Sequence, residues 1–72
     1  MKKIKKIKIR LNSKNLLITE NYKIQNLIRD LKIPIKKVAI ELNQEIIDKK
    51  KLKKIKIKKN DNIEIVHFIG GG

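Results

Sequence analysis

One helical stripe of apolar residues, set among segments that alternate between apolar and charged residues, constrains the fold of this chain most strongly. The stripe has the spacing i, i+3, i+4 and i+7 of an amphipathic helix and consists of Ile24, Leu27, Ile28 and Leu31. Thr19 or Asn21 is expected to cap its start, and Pro34 prevents it from continuing. The chain is therefore predicted to contain a single helix.

Segments with a period of two lie on both sides of this helix and predict strands. Ile7, Ile9 and Leu11 alternate with basic residues, and a turn over residues 12–15 follows them. The remaining predicted strands cover residues 16–19, 38–42, 45–47 and 63–68, with turns at 43–44 and 60–62. In the lysine-rich segment between the last two strands, Leu52, Ile55 and Ile57 are expected to cover the bottom of the core through one short helical turn.

This order of elements predicts a two-layer α+β domain in which one helix covers one face of the sheet. The other sheet face stays open to solvent or to a partner. If Ile63 and Ile65 point toward the helix, Glu64, Val66 and Phe68 lie on the open face, where they form a candidate docking surface. The alternative is that they simply cover the edge of the sheet.

The composition excludes several kinds of site. Seventy-two residues make one small domain, and the absence of cysteine excludes disulfides and thiolate sites. His67 is the single histidine, so it forms no metal site alone and is expected to be a partly buried strand residue. No apolar stretch approaches the roughly 20 residues of a membrane span, and the lysine-rich start is not a secretory signal. We expect the chain to work where it is made, in the cytoplasm or, if an organelle encodes it, in the plastid stroma.

The formal net charge of +13 invites a nucleic-acid interpretation. Tyr22 and Phe68 are the only aromatic residues and Arg10 and Arg29 the only arginines, so stacking and bidentate contacts are scarce. Lysine, isoleucine and asparagine, whose codons are AT-rich, make up 18, 16 and 7 of the residues. An AT-biased genome explains the charge without selection for it. We therefore expect nucleic-acid binding to be weak and non-specific.

Three glycines, Gly70, Gly71 and Gly72, follow the apolar run 63–69. Glycine has no Cβ, so such a segment can lie in a channel too narrow for side chains. Residues 70–72 are expected to form a flexible tail, with residues 1–69 as the folded domain, and the carboxylate of Gly72 is the chemistry on offer. The alternative is a frayed end without function.

Two stretches carry a resemblance to the ThiS family of ubiquitin-like sulfur carriers. They are residues 38–47, VAIELNQEII, and residues 61–72, DNIEIVHFIGGG. The resemblance implies a β-grasp fold with a mixed sheet of four to five strands under one helix. Asn60 stands where the family usually has glycine, as does Gln44 in the hairpin turn. The related molybdopterin carriers have a Pro-Pro segment where this chain has His67-Phe68, which favours the thiamine branch.

The resemblance implies a carrier and not an enzyme. An E1-like adenylyltransferase of the ThiF type would adenylate the Gly72 carboxylate, a persulfide donor would supply sulfur, and the Gly72 thiocarboxylate would deliver it to a thiazole synthase of the ThiG type. Gly70 and Gly71 would thread the tail through the partner. The resemblance implies no catalytic or metal-ligating residue in this chain, because ATP and Mg²⁺ would be bound by the adenylyltransferase. The free carrier is expected to be a monomer.

Two other functions stay open on this reasoning. The chain could be a protein modifier or a sulfur carrier for tRNA thiolation or molybdopterin synthesis. It could also be a basic nucleic-acid-binding module in which the glycines are incidental.

Overall fold

A computed structural model describes residues 5–68 of the chain. The predicted glycine tail, with its site residues Gly70, Gly71 and Gly72, lies outside the described residues. The elements are β1 (Lys6–Leu11), β2 (Lys14–Thr19), α1 (Ile24–Asp30), a 3₁₀ turn (Ile35–Lys37), β3 (Val38–Leu42), β4 (Glu45–Ile46), a second 3₁₀ turn (Lys49–Lys51) and β5 (Asn62–His67).

The five strands form one sheet in the order β2-β1-β5-β3-β4. β5 runs parallel to β1 and antiparallel to β3, while the two hairpins are antiparallel, so the sheet is mixed. The α+β architecture is confirmed, and residues 5–68 contain one α-helix, as predicted. The last strand, β5, lies at the centre of the sheet. β2 begins at Lys14, earlier than predicted, because Asn12 and Ser13 alone make the turn with φ of 49° and 68°.

The core lies between α1 and one face of the sheet. It is built from eleven buried aliphatic residues: Ile9, Ile18, Ile24, Leu27, Ile28, Val38, Ile40, Leu52, Ile57, Ile63 and Ile65. Leu52 follows the second 3₁₀ turn and closes the bottom of the core together with Ile57, as predicted, while Ile55 is partly buried. Burial of this apolar surface is the main favourable contribution to folding.

The ends of α1 differ from the prediction. The helix is capped at Lys23, whose N–H donates to Asn26 Oδ1 at 2.9 Å, and neither Thr19 nor Asn21 caps it. The reason is that β2 runs through Thr19, and the turn after it takes Asn21 at a φ of 67°, so that Lys23 is the residue directly before the helix. Asn26, at the third helical position, thereby satisfies the N–H of the capping residue, as the third residue of a capping box does.

The helix ends before Leu31. Leu31 was predicted to belong to the buried stripe, but it is half exposed. Lys32 adopts a left-handed φ of 55° and donates its N–H to the Arg29 carbonyl at 3.1 Å. The next N–H, from Ile33, reaches back to the Ile28 carbonyl at 3.0 Å. These two bonds form a Schellman motif, which turns the chain away from the core ahead of Pro34.

Tyr22 packs beside α1, and its hydroxyl donates to the Asp30 carboxylate. Burial, together with this hydrogen bond, raises the pKa of Tyr22 to about 12, and the same bond lowers the pKa of Asp30. The raised pKa of Tyr22 means that the folded state holds the phenol proton more tightly than the unfolded chain. The stability gained in this way is present below the unfolded pKa of about 10 and is lost as pH rises through about 12.

We predict that tyrosinate absorbance of the folded protein appears near pH 12, well above the midpoint of the urea-unfolded chain. The signal is clean because Tyr22 is the single tyrosine and tryptophan is absent. Asp30→Ala should lower this pKa without restoring it fully, because burial remains. Circular dichroism across the same pH range confirms that the fold persists, and coincident midpoints for folded and unfolded protein would contradict the prediction.

Candidate functional site

β5 places its side chains alternately on the two faces of the sheet. Ile63 and Ile65 are buried against the helix layer, whereas Val66 is 48% and Phe68 59% exposed on the opposite face. Glu64 is half-buried and lies on the same face, two residues before Val66. The predicted orientation of the docking surface is therefore confirmed, while its binding role stays a prediction.

His67 is exposed, so the prediction of a partly buried histidine was wrong. It shares the helix side of β5 with Ile63 and Ile65, but it is the last residue of the strand. Its cross-strand neighbour is Val38, the first residue of β3, so the sheet ends on both strands at this point. The packed layer covers Val38, which is fully buried, but leaves His67 exposed.

Asparagine side chains fix the start of β5. Asn12 Oδ1 accepts the N–H of Ile65 at 2.8 Å, and Asn12 N–H donates to the carbonyl of Ile63 at 2.9 Å. On the other side, Asn43 Oδ1 accepts the N–H of Asn62 at 2.9 Å, and Asn43 N–H donates to the Asn62 carbonyl at 2.8 Å. These paired bonds hold the strand in register, and with it the choice of side chains that face solvent.

The two positions that depart from the family's glycines keep the glycine-like backbone. Asn60 has a φ of 69°, and Asn43 and Gln44 have φ of 51° and 73°. Two consecutive left-handed residues between β3 and β4 match a type I′ hairpin turn. Gln44 is therefore accommodated in the hairpin turn, although the left-handed backbone conformation is less favourable for a residue with a Cβ than for glycine.

Phe68, the last described residue, is held at the end of the sheet. Its N–H donates to the Lys37 carbonyl at 2.9 Å, and the Lys49 ammonium lies 5.4 Å from the centroid of its ring. The second contact is a cation–π interaction. The last described residue thus lies at the end of the central strand, beside the exposed face.

On β3 and β4 the open face includes two apolar residues that sequence reasoning did not assign to it. Ile46, which is 75% exposed, lies across from Glu41, and Ala39 lies across from Val66. Together with Glu64, Val66 and Phe68 they form the surface that we call the open-face patch: Ala39, Glu41, Ile46, Glu64, Val66 and Phe68. The signal for Ile46 was the two-residue turn at 43–44, because its length fixes which side of β4 each residue occupies.

Within residues 5–68, no three His, Cys, Asp or Glu side chains are grouped so as to hold a metal ion. The helices of the same segment include none long and apolar enough to cross a membrane.

Comparison with known proteins shows which family the sequence resembles. The sequence model of the ThiS family matches residues 4–72. The sulfur carrier protein ThiS of Bacillus subtilis is 43% identical over 49 residues, which are 68% of this chain and 74% of that protein. A thiazole synthase of Paramagnetospirillum magneticum is 32% identical over 66 residues, 92% of this chain but only 20% of the length of that enzyme.

The fold agrees with these matches. The crystal structure of the thiamine biosynthesis protein ThiS from Geobacter metallireducens superposes with a TM-score of 0.81 at 26% identity, over 92% of this chain and 100% of that one. The β-grasp fold expected from the resemblance is thereby confirmed. Since the family match covers nearly every residue and the topology agrees, this chain belongs to the ThiS family.

Proposed function

We propose that this protein is the sulfur carrier for the thiazole ring of thiamine and that the carboxylate of Gly72 carries the sulfur. The observation on which the proposal rests is the family match, which continues through the three glycines to residue 72. The central strand of the β-grasp body leads toward those glycines and lies beside an exposed patch suited to a partner. A carrier needs these two features: a group to be modified and a surface for docking.

The carboxylate needs activation, because oxide is a poor leaving group. A Gly72 carboxylate oxygen attacks the α-phosphorus of ATP, pyrophosphate leaves, and an acyl adenylate forms. The terminal sulfur of a donor persulfide then attacks the acyl carbon, and AMP leaves. A thiol reductant cleaves the resulting S–S bond, which yields the Gly72 thiocarboxylate and a disulfide.

The catalytic groups for these steps belong to the partner, and this chain is their co-substrate. An E1-like adenylyltransferase binds ATP and Mg²⁺ and stabilises the charge that develops on the phosphates. Gly70 and Gly71 let the tail approach that site closely, because they present no Cβ. Glu64, Val66 and Phe68 dock the body, so that Gly72 reaches its reaction partner in a defined position.

The acceptor of the sulfur is a thiazole synthase. Support comes from the Paramagnetospirillum magneticum protein of that name, in which a segment similar to this chain occupies about a fifth of the length. A carrier and a synthase on one polypeptide meet at high effective concentration. A chain that provides the carrier alone would reach its synthase by docking.

The test is the intact mass of the protein after incubation with ATP, the adenylyltransferase encoded in the same genome, a persulfide donor and a thiol. The expected gain is the mass of one sulfur atom minus that of one oxygen atom. Omission of ATP is the matched control, because no acyl adenylate then forms. An unchanged mass with all components present would reject the proposal.

Transfer to the acceptor is measured separately, by adding purified thiazole synthase with its other substrates to the thiocarboxylate form. We expect the carrier to return to its original mass as thiazole product appears. Retention of the sulfur with this synthase, but its loss with a molybdopterin or tRNA-thiolating enzyme, would move the carrier to another pathway.

A further inference from the structure

Two carboxylates face each other across neighbouring strands of the open face. Glu41 on β3 and Glu64 on β5 are direct cross-strand partners, and both are half-buried. The Cβ atoms of such partners lie about 4.5–5.5 Å apart, and like charges in this arrangement destabilise a sheet. The pair is notable in a chain with only 7 acidic residues against 20 basic ones.

No cation of the described segment forms an ion pair with either carboxylate. Among residues 5–68 the ion pair within 4.0 Å is that of Arg29 with Asp30, at 3.2 Å. By register the nearby cation on the same face is Arg10, which lies beside Asn62, two residues before Glu64. It makes no ion pair with Glu64 in this structure. Among residues 5–68, therefore, no ion pair offsets the repulsion between the two glutamates.

Apolar side chains border the two carboxylates. Ile46 is the cross-strand neighbour of Glu41, and the Ala39–Val66 pair is two positions along the same two strands. A partner that buries Ile46 and Val66 must also remove water from both carboxylates. Burying charge without a counter-charge is costly, so a surface that covers this patch must bring a cation with it.

We propose that the adenylyltransferase that activates Gly72 inserts a cationic side chain, an arginine, between Glu41 and Glu64. This inference rests on the proposed function and names the chemistry of its docking surface. A guanidinium has donors for two carboxylates at once and is more weakly hydrated than an ammonium. The Glu41–Glu64 pair thus requires a cationic group on the partner, whereas the net charge of +13 on the whole chain favours acidic surfaces.

The test compares Glu41→Gln and Glu64→Gln with Glu20→Gln. The control removes the same charge from an exposed glutamate that lies outside the open-face patch. Each patch variant should raise the KM for the carrier in ATP–pyrophosphate exchange about tenfold or more, with kcat nearly unchanged, because a docking interaction is lost and the tail is intact. The same variants should melt about 1–4 °C above the control, because the cross-strand repulsion is relieved.

In these variants docking should become weaker while the fold becomes more stable, and this combination distinguishes a docking role from a structural one. A KM equal to that of Glu20→Gln, a lower KM, or a melting temperature below that of the control would each overturn the inference while leaving the proposed function in place. Absence of exchange with the wild-type chain would overturn both.

Discussion

A chain extended by one residue after Gly72 is expected to lose activation by the adenylyltransferase while keeping its fold. The extension moves the carboxylate by roughly 3.5 Å and places a Cβ where the tail carries none. Misplacement of a reacting group by about 1 Å can cost on the order of 10²-fold in rate, so the loss should be at least of that size. ATP–pyrophosphate exchange measures it, and circular dichroism reports the fold.

The matched control adds the same residue ahead of Met1, at the other end of the chain, where exchange should be unaffected. Gly71→Val provides a second variant with an unchanged length, and we expect it to fail through the bulk of its side chain alone. Unchanged exchange for the extended chain would refute the role of Gly72. Intact mass verifies that no protease has removed the added residue.

The order of elements follows from the sequence because each periodic segment carries its own signal. The alternation in residues 7–11 and 38–42 and the helical stripe from Ile24 to Ile28 are local patterns, and the structure confirms them. The helix ends were harder to predict. Asn26 caps from within the helix, and the backbone at Lys32 ends it before Leu31, which its spacing alone assigns to the buried stripe.

The candidate site likewise has one part that the sequence predicts and one part that it does not. The exposure of Val66 and Phe68 follows from the alternation along a single strand, and so it was predictable. The Glu41–Glu64 pair depends on the register between β3 and β5, which Asn43 helps to set through bonds to Asn62. A register between strands distant in sequence is set by tertiary contacts, and no local pattern in this chain contains it.

The two faces of β5 should respond oppositely to the same kind of substitution. Ile63 is fully buried at the centre of the sheet, so Ile63→Ala removes packed atoms and leaves a cavity. Such changes cost about 2–5 kcal/mol, whereas a domain of this length has a total stability on the order of 4–11 kcal/mol. The variant should therefore lose a large fraction of its stability, and if the wild-type stability lies at the low end of this range it should be unfolded at room temperature.

Val66→Ala is the matched variant on the same strand, because it truncates an aliphatic side chain that is 48% exposed on the open face. It should change the free energy of unfolding by about 0.5 kcal/mol or less, yet weaken exchange with the adenylyltransferase several-fold, since interface side chains matter when a partner buries them. Urea unfolding followed by circular dichroism measures the first quantity and the KM for the carrier the second. If Val66→Ala proved as destabilising as Ile63→Ala, the open face would be part of the core, and docking would have to occur elsewhere.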